Sequence, residues 1–205
     1  MARRGDAGGG GVVGRRVAGY RSPEGFREAL GGVWLRPRRF FRGLDPEGGP
    51  LRPALFAAGV LYVNLVLSAL LEAVWAREFN PVLLYAPVVG LVVAAVLGPA
   101  FVAGLAALSL MVLNPDNSPT RGFLPTFRAY GFATAIAAVL WVPYAPLVAV
   151  PYGLYVATAA MQETHRLSFG RAAAAALIPL GALLLIILLL TGPADAWELL
   201  KNPPG

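Results

Sequence analysis

Five apolar segments dominate the pattern of hydrophobic and polar positions along the chain. In hydrocarbon a backbone must satisfy its own hydrogen bonds, so apolar segments of roughly bilayer length are expected to be helices. The pattern therefore predicts an all-α membrane protein with five transmembrane helices, at Pro53–Trp75, Ala86–Leu113, Phe127–Val142, Ala145–Gln162 and Ala172–Thr191. The proline-rich turn Val142–Pro146 joins the third and fourth segments and predicts a tight hairpin.

Composition leads to the same fold class. Hydrophobic residues make up 57% of the 205 residues and charged residues only 14%, and the mean hydropathy is +0.64. A soluble chain of this length does not bury that much apolar surface. Lipid is therefore the expected solvent for most of the chain.

Four sections are predicted from the changes in composition. Residues 1–21 form a basic, Gly-rich tail that is expected to be disordered, and its first residues lack the apolar region of a cleavable signal peptide. Residues 22–50 are expected to hold cytoplasmic or interfacial amphipathic helices, with a break at Gly31 and Gly32. The membrane domain covers 51–192, and 193–205 form a short extracytoplasmic tail.

The segment Arg36–Leu44 predicts an amphipathic helix of about two turns. At 100° per residue Arg38, Arg39 and Arg42 share one face, while Phe40, Phe41 and Leu44 share the other. We expect this helix to lie in the membrane plane with its rings at the acyl boundary. The residues expected to meet anionic lipid headgroups are Arg36, Arg38, Arg39 and Arg42. The alternative is a helix packed on the protein itself.

The distribution of basic residues predicts the orientation. Of 17 Lys and Arg residues, 11 precede Pro53, and Arg121 and Arg128 are assigned to the second loop. A cytoplasmic N-terminus places 15 of the 17 on the cytoplasmic side, so the positive-inside rule favours N-in, C-out in a bacterial inner membrane. Basic residues next to a span are explained by topology and lipid charge, and nucleic acid is not expected as a partner.

Polar residues within the first span form one candidate site. Asn64, Ser68 and Glu72 are four residues apart, so they stack on one helix face that should point toward protein. This face is typical either of a groove for protons or ions or of hydrogen bonds that fix helix packing.

Two further helix faces concern packing. In the second span the small residues that would allow a close helix approach are Gly90, Ala94 and Gly98. In the fourth span the polar face consists of Tyr155, Thr158 and Gln162. We expect this polar face to receive Asn64 and Ser68 of the first span.

The remaining candidate site is the cytoplasmic mouth of the fourth span, formed by Glu163, His165 and Arg166. An acid, an imidazole and a guanidinium suit catalysis or partner docking, but also helix capping and headgroup contacts. The chain has no Cys and one His, which excludes thiolate zinc sites, iron–sulfur clusters and bis-histidine haem. The segment 114–119 lacks the pattern of a calcium loop. No metal, cofactor or catalytic residue is therefore predicted.

Several short patterns resemble the Yip1 family of integral membrane proteins, in its bacterial branch. The first is Pro37-x-x-Phe-Phe-x-x-Leu44 with Gly49-x-x-x-Pro53 leading into the first span. The others are Thr126-x-x-x-Tyr130 and Glu163-x-His165-x-x-Ser168-x-x-x-Ala172. The resemblance covers roughly 22–192. It implies five spans, a cytoplasmic N-terminus and no enzymatic activity. Eukaryotic members associate with small GTPases, but their Asp-Leu-Tyr-Gly-Pro signature is absent here, so GTPase binding is not implied.

The sequence thus predicts a non-enzymatic structural or accessory partner in a membrane assembly. Its expected partners are anionic lipids and either another membrane protein or a second copy of the chain. The alternative is a transporter, channel or lipid-moving protein that uses the polar face of the first span. An intramembrane enzyme is a third hypothesis and would depend on Glu163 or His165.

Overall fold

The computed structural model describes residues 25–45, 47–76, 82–113 and 121–191, and all regular structure in these ranges is helical. The elements are α1 (Phe26–Leu35), α2 (Pro37–Arg42), α3 (Leu51–Ala76), α4 (Val82–Leu113), α5 (Phe123–Ala133), a 3₁₀ segment (Thr134–Val139), α6 (Pro146–His165) and α7 (Phe169–Thr191). The all-helical prediction is confirmed. The predicted tails at 1–21 and 193–205, and the turn at 114–119, lie outside the described residues.

Helices α3 and α4 are the longest and form an antiparallel pair, at about 1.5 Å per residue roughly 39 and 48 Å long. Their most apolar stretches, Leu51–Trp75 and Leu84–Leu113, have mean hydropathies of 2.2 and 2.4, so both are long and apolar enough to cross a membrane. In the most apolar 18 residues of each stretch, only 17% and 28% of the residues are buried inside the protein. Most of their surface therefore needs an apolar environment outside the chain.

Small residues set the distance between α3 and α4. Gly90, Ala94 and Gly98 are all buried on α4. A Cβ at Gly98 would lie 3.2 Å from Cα of Ala58 on α3, while one at Gly90 would lie 3.9 Å from the Tyr62 ring. The three small residues thus lie at the α3–α4 contact, where the spacing rule for close-packed helices predicts them.

The third apolar segment differs from the single helix that its sequence predicts. It begins as α5 and continues as the 3₁₀ segment, which rises about 2.0 Å per residue. Phe123–Val139 therefore covers about 28 Å with 17 residues, close to the thickness of a bilayer core. If the same 17 residues were α-helical throughout, the segment would be a few ångströms shorter. The predicted hairpin with α6 is present, and its turn holds Tyr144 at a φ of 64°.

Side chains of other helices stabilise the 3₁₀ segment. The indole Nε1 of Trp34 donates to the carbonyl of Ala135 at 3.1 Å, and the amide of Asn64 donates to the carbonyl of Ala137 at 2.7 Å. Within the segment itself, Thr134 donates to the carbonyl of Gly131 on α5 at 2.6 Å. Irregular backbone inside a membrane protein requires such donors from the surrounding protein. The sequence pattern of the segment does not indicate which other helices supply these donors.

Helices α1 and α2 pack against the bundle, which corrects the prediction for Arg36–Leu44. Phe41 is 2% exposed and Leu44 is 8% exposed, and the Phe40 ring packs edge-on against Phe132 with centroids 5.5 Å apart. The expectation that these rings lie at the acyl boundary is wrong, because α5 and α6 provide an apolar surface for them. The alternative, a helix packed on the protein itself, is the one observed.

The predicted break at Gly31 and Gly32 is also wrong, because α1 continues through both residues. Gly32 has a packing role instead. A Cβ at Gly32 would lie 2.6 Å from a ring carbon of Phe40, whereas a Cβ at Gly31 would meet nothing within 4 Å. The second glycine thus allows α2 to fold back against α1, while the first leaves the helix intact.

Candidate functional site

The described polar side chains concentrate where α2, the α2–α3 turn, α5 and the end of α6 meet. We call this region the polar junction and define it by Arg42, Thr126, Arg128, Glu163 and His165. Thr126 and Arg128 are buried, whereas the other three are partly or fully exposed. The junction therefore begins at the protein surface and continues into its interior.

Arg42 and Glu163 connect α2 to α6. Nε and Nη2 of Arg42 donate to the two carboxylate oxygens of Glu163 at 2.9 and 3.0 Å, a two-pronged geometry typical of arginine and carboxylate. The Arg42 side chain is 73% exposed and that of Glu163 only 13%. The hydrogen bond that Arg42 donates to Glu163, followed by the charge of Glu163, raises the pKa of Arg42. Because Arg42 is solvated, the pair fixes orientation more than it adds stability.

His165 connects the end of α6 to the start of α5. Thr126 donates its hydroxyl hydrogen to the carbonyl of Gly122 at 2.8 Å, so its oxygen accepts from Nε2 of His165 at 2.9 Å. The Nδ1 atom accepts the main-chain N–H of Arg121 at 3.4 Å. The neutral imidazole with its hydrogen on Nε2 makes both hydrogen bonds, so both ring nitrogens are engaged. Burial, and then the charge of Arg121, lowers the pKa of His165 to about 4.

Arg128 is the buried cation of the junction. It is 3% exposed, and its Nη1 atom has no hydrogen-bond partner. A Cβ at Gly48 would lie 2.6 Å from Nη2, so the α2–α3 turn covers the guanidinium. Asp45, in the same turn, is close enough for its charge to act on Arg128. A cavity of about 290 Å³ is lined by Arg128 together with Arg52 and the turn.

The prediction assigned Arg128 to a loop, and the structure corrects this. Arg128 lies in the second turn of α5, which begins at Phe123. Reasoning from the sequence missed it as a site residue. The signal was available, because an arginine inside an otherwise apolar helix is rare and usually has a specific partner.

Further polar side chains connect helices deeper in the bundle. Tyr130 donates to the carbonyl of Ala175 on α7 at 3.3 Å, and so the hydroxyl of Ser109 on α4 donates to Tyr130 at 2.7 Å. The hydroxyl of Tyr152 on α6 donates to the carbonyl of Trp34 on α1, and the two rings stack with centroids 5.6 Å apart. These bonds join five helices through groups that an apolar surrounding would otherwise leave unpaired.

The two predicted polar faces do not meet. Asn64 donates to the 3₁₀ segment, Ser68 is half-buried and Glu72 is exposed near the end of α3. On α6, Thr158 donates to the carbonyl of Leu154 within its own helix. The expectation that α6 receives Asn64 and Ser68 is wrong, because the 3₁₀ segment occupies that side of α3.

The three residues of the predicted polar face on α6 differ in burial. Tyr155 is 40% exposed, whereas Thr158 is 4% exposed. Gln162 is partly buried, and its side-chain oxygen has no hydrogen-bond partner. Spacing predicted one shared face, but the neighbouring helices cover only part of it.

The predicted cytoplasmic mouth is also divided. Glu163 pairs with Arg42 and His165 with Thr126, while Arg166 is exposed and ends α6 in the left-handed region at a φ of 54°. Glu163 and His165 thus take partners from other helices rather than from each other. Of the arginines expected at lipid headgroups, Arg36, Arg38 and Arg39 are exposed and Arg42 is held by Glu163.

The described residues contain no group of three or more His, Asp or Glu side chains able to hold a metal ion. The junction itself offers charge-assisted hydrogen bonds and one buried cation. Such an arrangement can fix helices and can attract an anion.

The family model described as Yip1 domain matches residues 31–191, which is more than three quarters of the chain. The matched range begins in α1 and ends at the last residue of α7, so it contains the entire polar junction. No curated protein and no solved structure matches the chain.

Proposed function

Because this chain belongs to the Yip1 family, we propose that it is a non-enzymatic membrane protein that serves as a structural or accessory partner in a membrane assembly. Its apolar helices and the family match support a membrane location. The role in an assembly is the step that we add. The partner is a second membrane protein or another copy of this chain.

One observation carries the proposal: several polar groups inside the bundle hold helices together. Asn64 and Trp34 donate to carbonyls of the 3₁₀ segment, and Tyr130 donates to α7. A transport path needs polar groups that are free to exchange partners with a substrate. Groups bonded to main-chain carbonyls are suited to a fixed scaffold instead.

The contacts of the cytoplasmic mouth favour a non-enzymatic role. A general base needs a nitrogen or oxygen that can approach the substrate. Both ring nitrogens of His165 are engaged, and both carboxylate oxygens of Glu163 accept from Arg42. These contacts favour helix fixation over acid–base chemistry.

Copurification tests the assembly role. A tagged full-length chain is extracted from native membranes in a mild detergent, and copurifying proteins are quantified by mass spectrometry. We expect one protein, or the chain itself as an oligomer, at a fixed stoichiometric ratio. An unrelated tagged membrane protein of similar abundance is the control. A chain that elutes alone at monomer mass in several mild detergents contradicts the proposal.

We further propose five membrane crossings, with the N-terminus in the cytoplasm of a bacterial cell. The chain has no cysteine, so single cysteines can report the side of the membrane. An impermeant maleimide added to intact spheroplasts should label Tyr144→Cys in the α5–α6 hairpin. It should leave Arg39→Cys and Gly170→Cys unlabelled until the cells are lysed. Labelling of Tyr144→Cys and Gly170→Cys from the same side contradicts this topology.

A further inference from the structure

An apolar groove lies next to the cavity beside Arg128. The cavity of about 290 Å³ is lined at its polar end by Gly48, Gly49, Arg52 and Arg128. A second cavity, of about 220 Å³, is lined mainly by Phe26, Ala29, Leu55 and Phe56. The two have Arg52 and Phe132 in common. The two cavities therefore lie next to each other at these two side chains, one with a cationic lining and the other with a mainly apolar lining.

The cationic end has more positive than negative charge. Arg128 is almost fully buried with Nη1 unpartnered, and Arg52 is exposed at the first turn of α3. Asp45 is the acid that acts on Arg128, but its Oδ1 accepts the main-chain N–H of Glu47 at 2.9 Å. Among the described residues, two guanidinium groups and no carboxylate line this cavity. An unpaired buried guanidinium is costly unless an anion accompanies it.

The backbone around this end also suits an anion. Leu51 and Arg52 begin α3, and the first N–H groups of a helix have no acceptor within the helix. The positive end of the helix dipole lies at the same place. Gly49 has no contact that a Cβ would disturb, and the Gly48–Gly49 turn carries no side chain to block an approach to Arg128.

We propose that this site binds an anionic phospholipid, with the phosphate at Arg128 and Arg52 and one acyl chain along the groove on α3. The phosphate is the group that guanidinium geometry matches. The groove wall adds apolar side chains, among them Leu55, which is 62% exposed, and the rings of Phe26 and Phe56, 4.9 Å apart. A soluble phosphate would leave these apolar side chains uncovered, so we assign a lipid. The proposal rests on the membrane location and not on the role in an assembly.

Native mass spectrometry of the purified full chain in detergent tests this site. The chain is titrated with phosphatidylglycerol and, separately, with phosphatidylcholine. We expect one phosphatidylglycerol to bind more tightly than phosphatidylcholine. Arg128→Gln should weaken phosphatidylglycerol binding about tenfold, since a hydrogen-bonded charge pair is worth about one such factor. Arg52→Gln should weaken it by a smaller factor because Arg52 is exposed.

Arg171→Gln is the matched control, because Arg171 is exposed at the start of α7 and lines neither cavity. Equal affinity in wild type and Arg128→Gln overturns the proposal. An equal loss in Arg171→Gln does so as well, because it shows general attraction to positive charge. If Arg128→Gln does not fold, an Arg52→Gln variant with wild-type affinity overturns it in the same way.

Glycerol 1-phosphate separates the two sources of a phosphate group. We expect millimolar glycerol 1-phosphate to leave the bound lipid in place, because it lacks the acyl chain. Displacement of the lipid at low concentration would identify the site as one for a soluble phosphate and overturn the lipid assignment. All of these measurements use the isolated chain, so their outcome does not depend on whether a partner copurifies.

Discussion

The α3–α4 pair and the assembly of α1, α2, α5 and α6 bury their residues in different ways. On α4, large apolar side chains from Leu84 to Phe101 are exposed, and the α3–α4 contact is made by small residues. The second assembly buries aromatic rings and polar groups, including Phe41, Tyr130 and Arg128. The pair depends on lipid to cover its surface, whereas the second assembly finds its partners within the protein, among them Ser109 on α4 and Ala175 on α7. Substitutions should therefore act through packing or polar pairing in the second and through lipid contact in the first.

Of the substitutions predicted here, Gly131→Ala should lower the unfolding free energy most. A Cβ at Gly131 would lie 2.7 Å from Cβ of Pro53 and 3.0 Å from its carbonyl oxygen, and backbone cannot easily move away. We expect a loss of about 2–3 kcal/mol in unfolding free energy from overpacking. Thermal unfolding in detergent, followed by circular dichroism, measures it.

Gly104→Ala is the matched control for Gly131→Ala. Gly104 also lies within a helix, but a Cβ there meets nothing within 4 Å. This variant should gain up to about 1 kcal/mol from helix propensity. If the two substitutions had equal effects, overpacking between α3 and α5 at Gly131 would be contradicted.

The pH dependence of stability tests the His165 contact. Its folded pKa of about 4 lies below the usual 6.5, so the unfolded chain takes up the proton first as pH falls. Stability should be full above about pH 6.5 and should decrease between pH 6.5 and 4. Since the ring is only partly buried, we expect a loss on the order of 1–2 kcal/mol.

Thermal midpoints at pH 7 and pH 4.5 measure the His165 effect, with His165→Gln as the comparison. Gln at this position has no proton to gain in that range, so its midpoint should change less. An equal decrease in both proteins would assign the pH dependence to other groups.

Asn64→Leu tests whether the polar face of α3 serves packing. The variant loses the donor to Ala137, and we expect a loss of about 1 kcal/mol. Ser68→Leu, one turn further along α3, should change stability by less than about 0.5 kcal/mol because Ser68 is only half-buried.

Vesicles that contain the purified chain provide a second measurement. Ion flux that disappears in Glu72→Gln would favour the transport alternative over the scaffold.

Arg42→Gln should have the smallest effect. The pair with Glu163 is solvated at Arg42, so the thermal midpoint should fall by no more than about 2 °C. The difference from wild type should also shrink at high salt, because exposed charges are screened. A large loss that is independent of salt would show that the pair is a main support of α2.

Sequence patterns predicted the parts of the fold that depend on apolar length and small-residue spacing. The positions of α3, α4, α6 and α7, the hairpin, and the Gly90–Gly98 contact follow from local rules. The resemblance to the Yip1 family is confirmed by the family model. Five crossings and their orientation stay predictions.

Long-range partners account for what the patterns missed. An amphipathic segment such as Arg36–Leu44 has the same periodicity whether lipid or protein covers it, so Phe41 gave no sign of its burial. The spacing of Asn64, Ser68 and Glu72 places them on one face, but it does not show that the 3₁₀ segment faces Asn64. The Arg128 cavity depends on a turn 80 residues earlier in the chain.

The contacts of α1 and α2 have a consequence for synthesis. Trp34 donates to a residue 101 positions later in the chain, and Arg42 to one 121 positions later. At ~5–20 residues per second, a ribosome needs on the order of 10 s to make that intervening chain. During this interval the apolar side of α2 exists without α5 and α6, and the nearest phase that can cover it is the lipid surface. Helices α1 and α2 are thus made well before the partners that they contact in the finished fold.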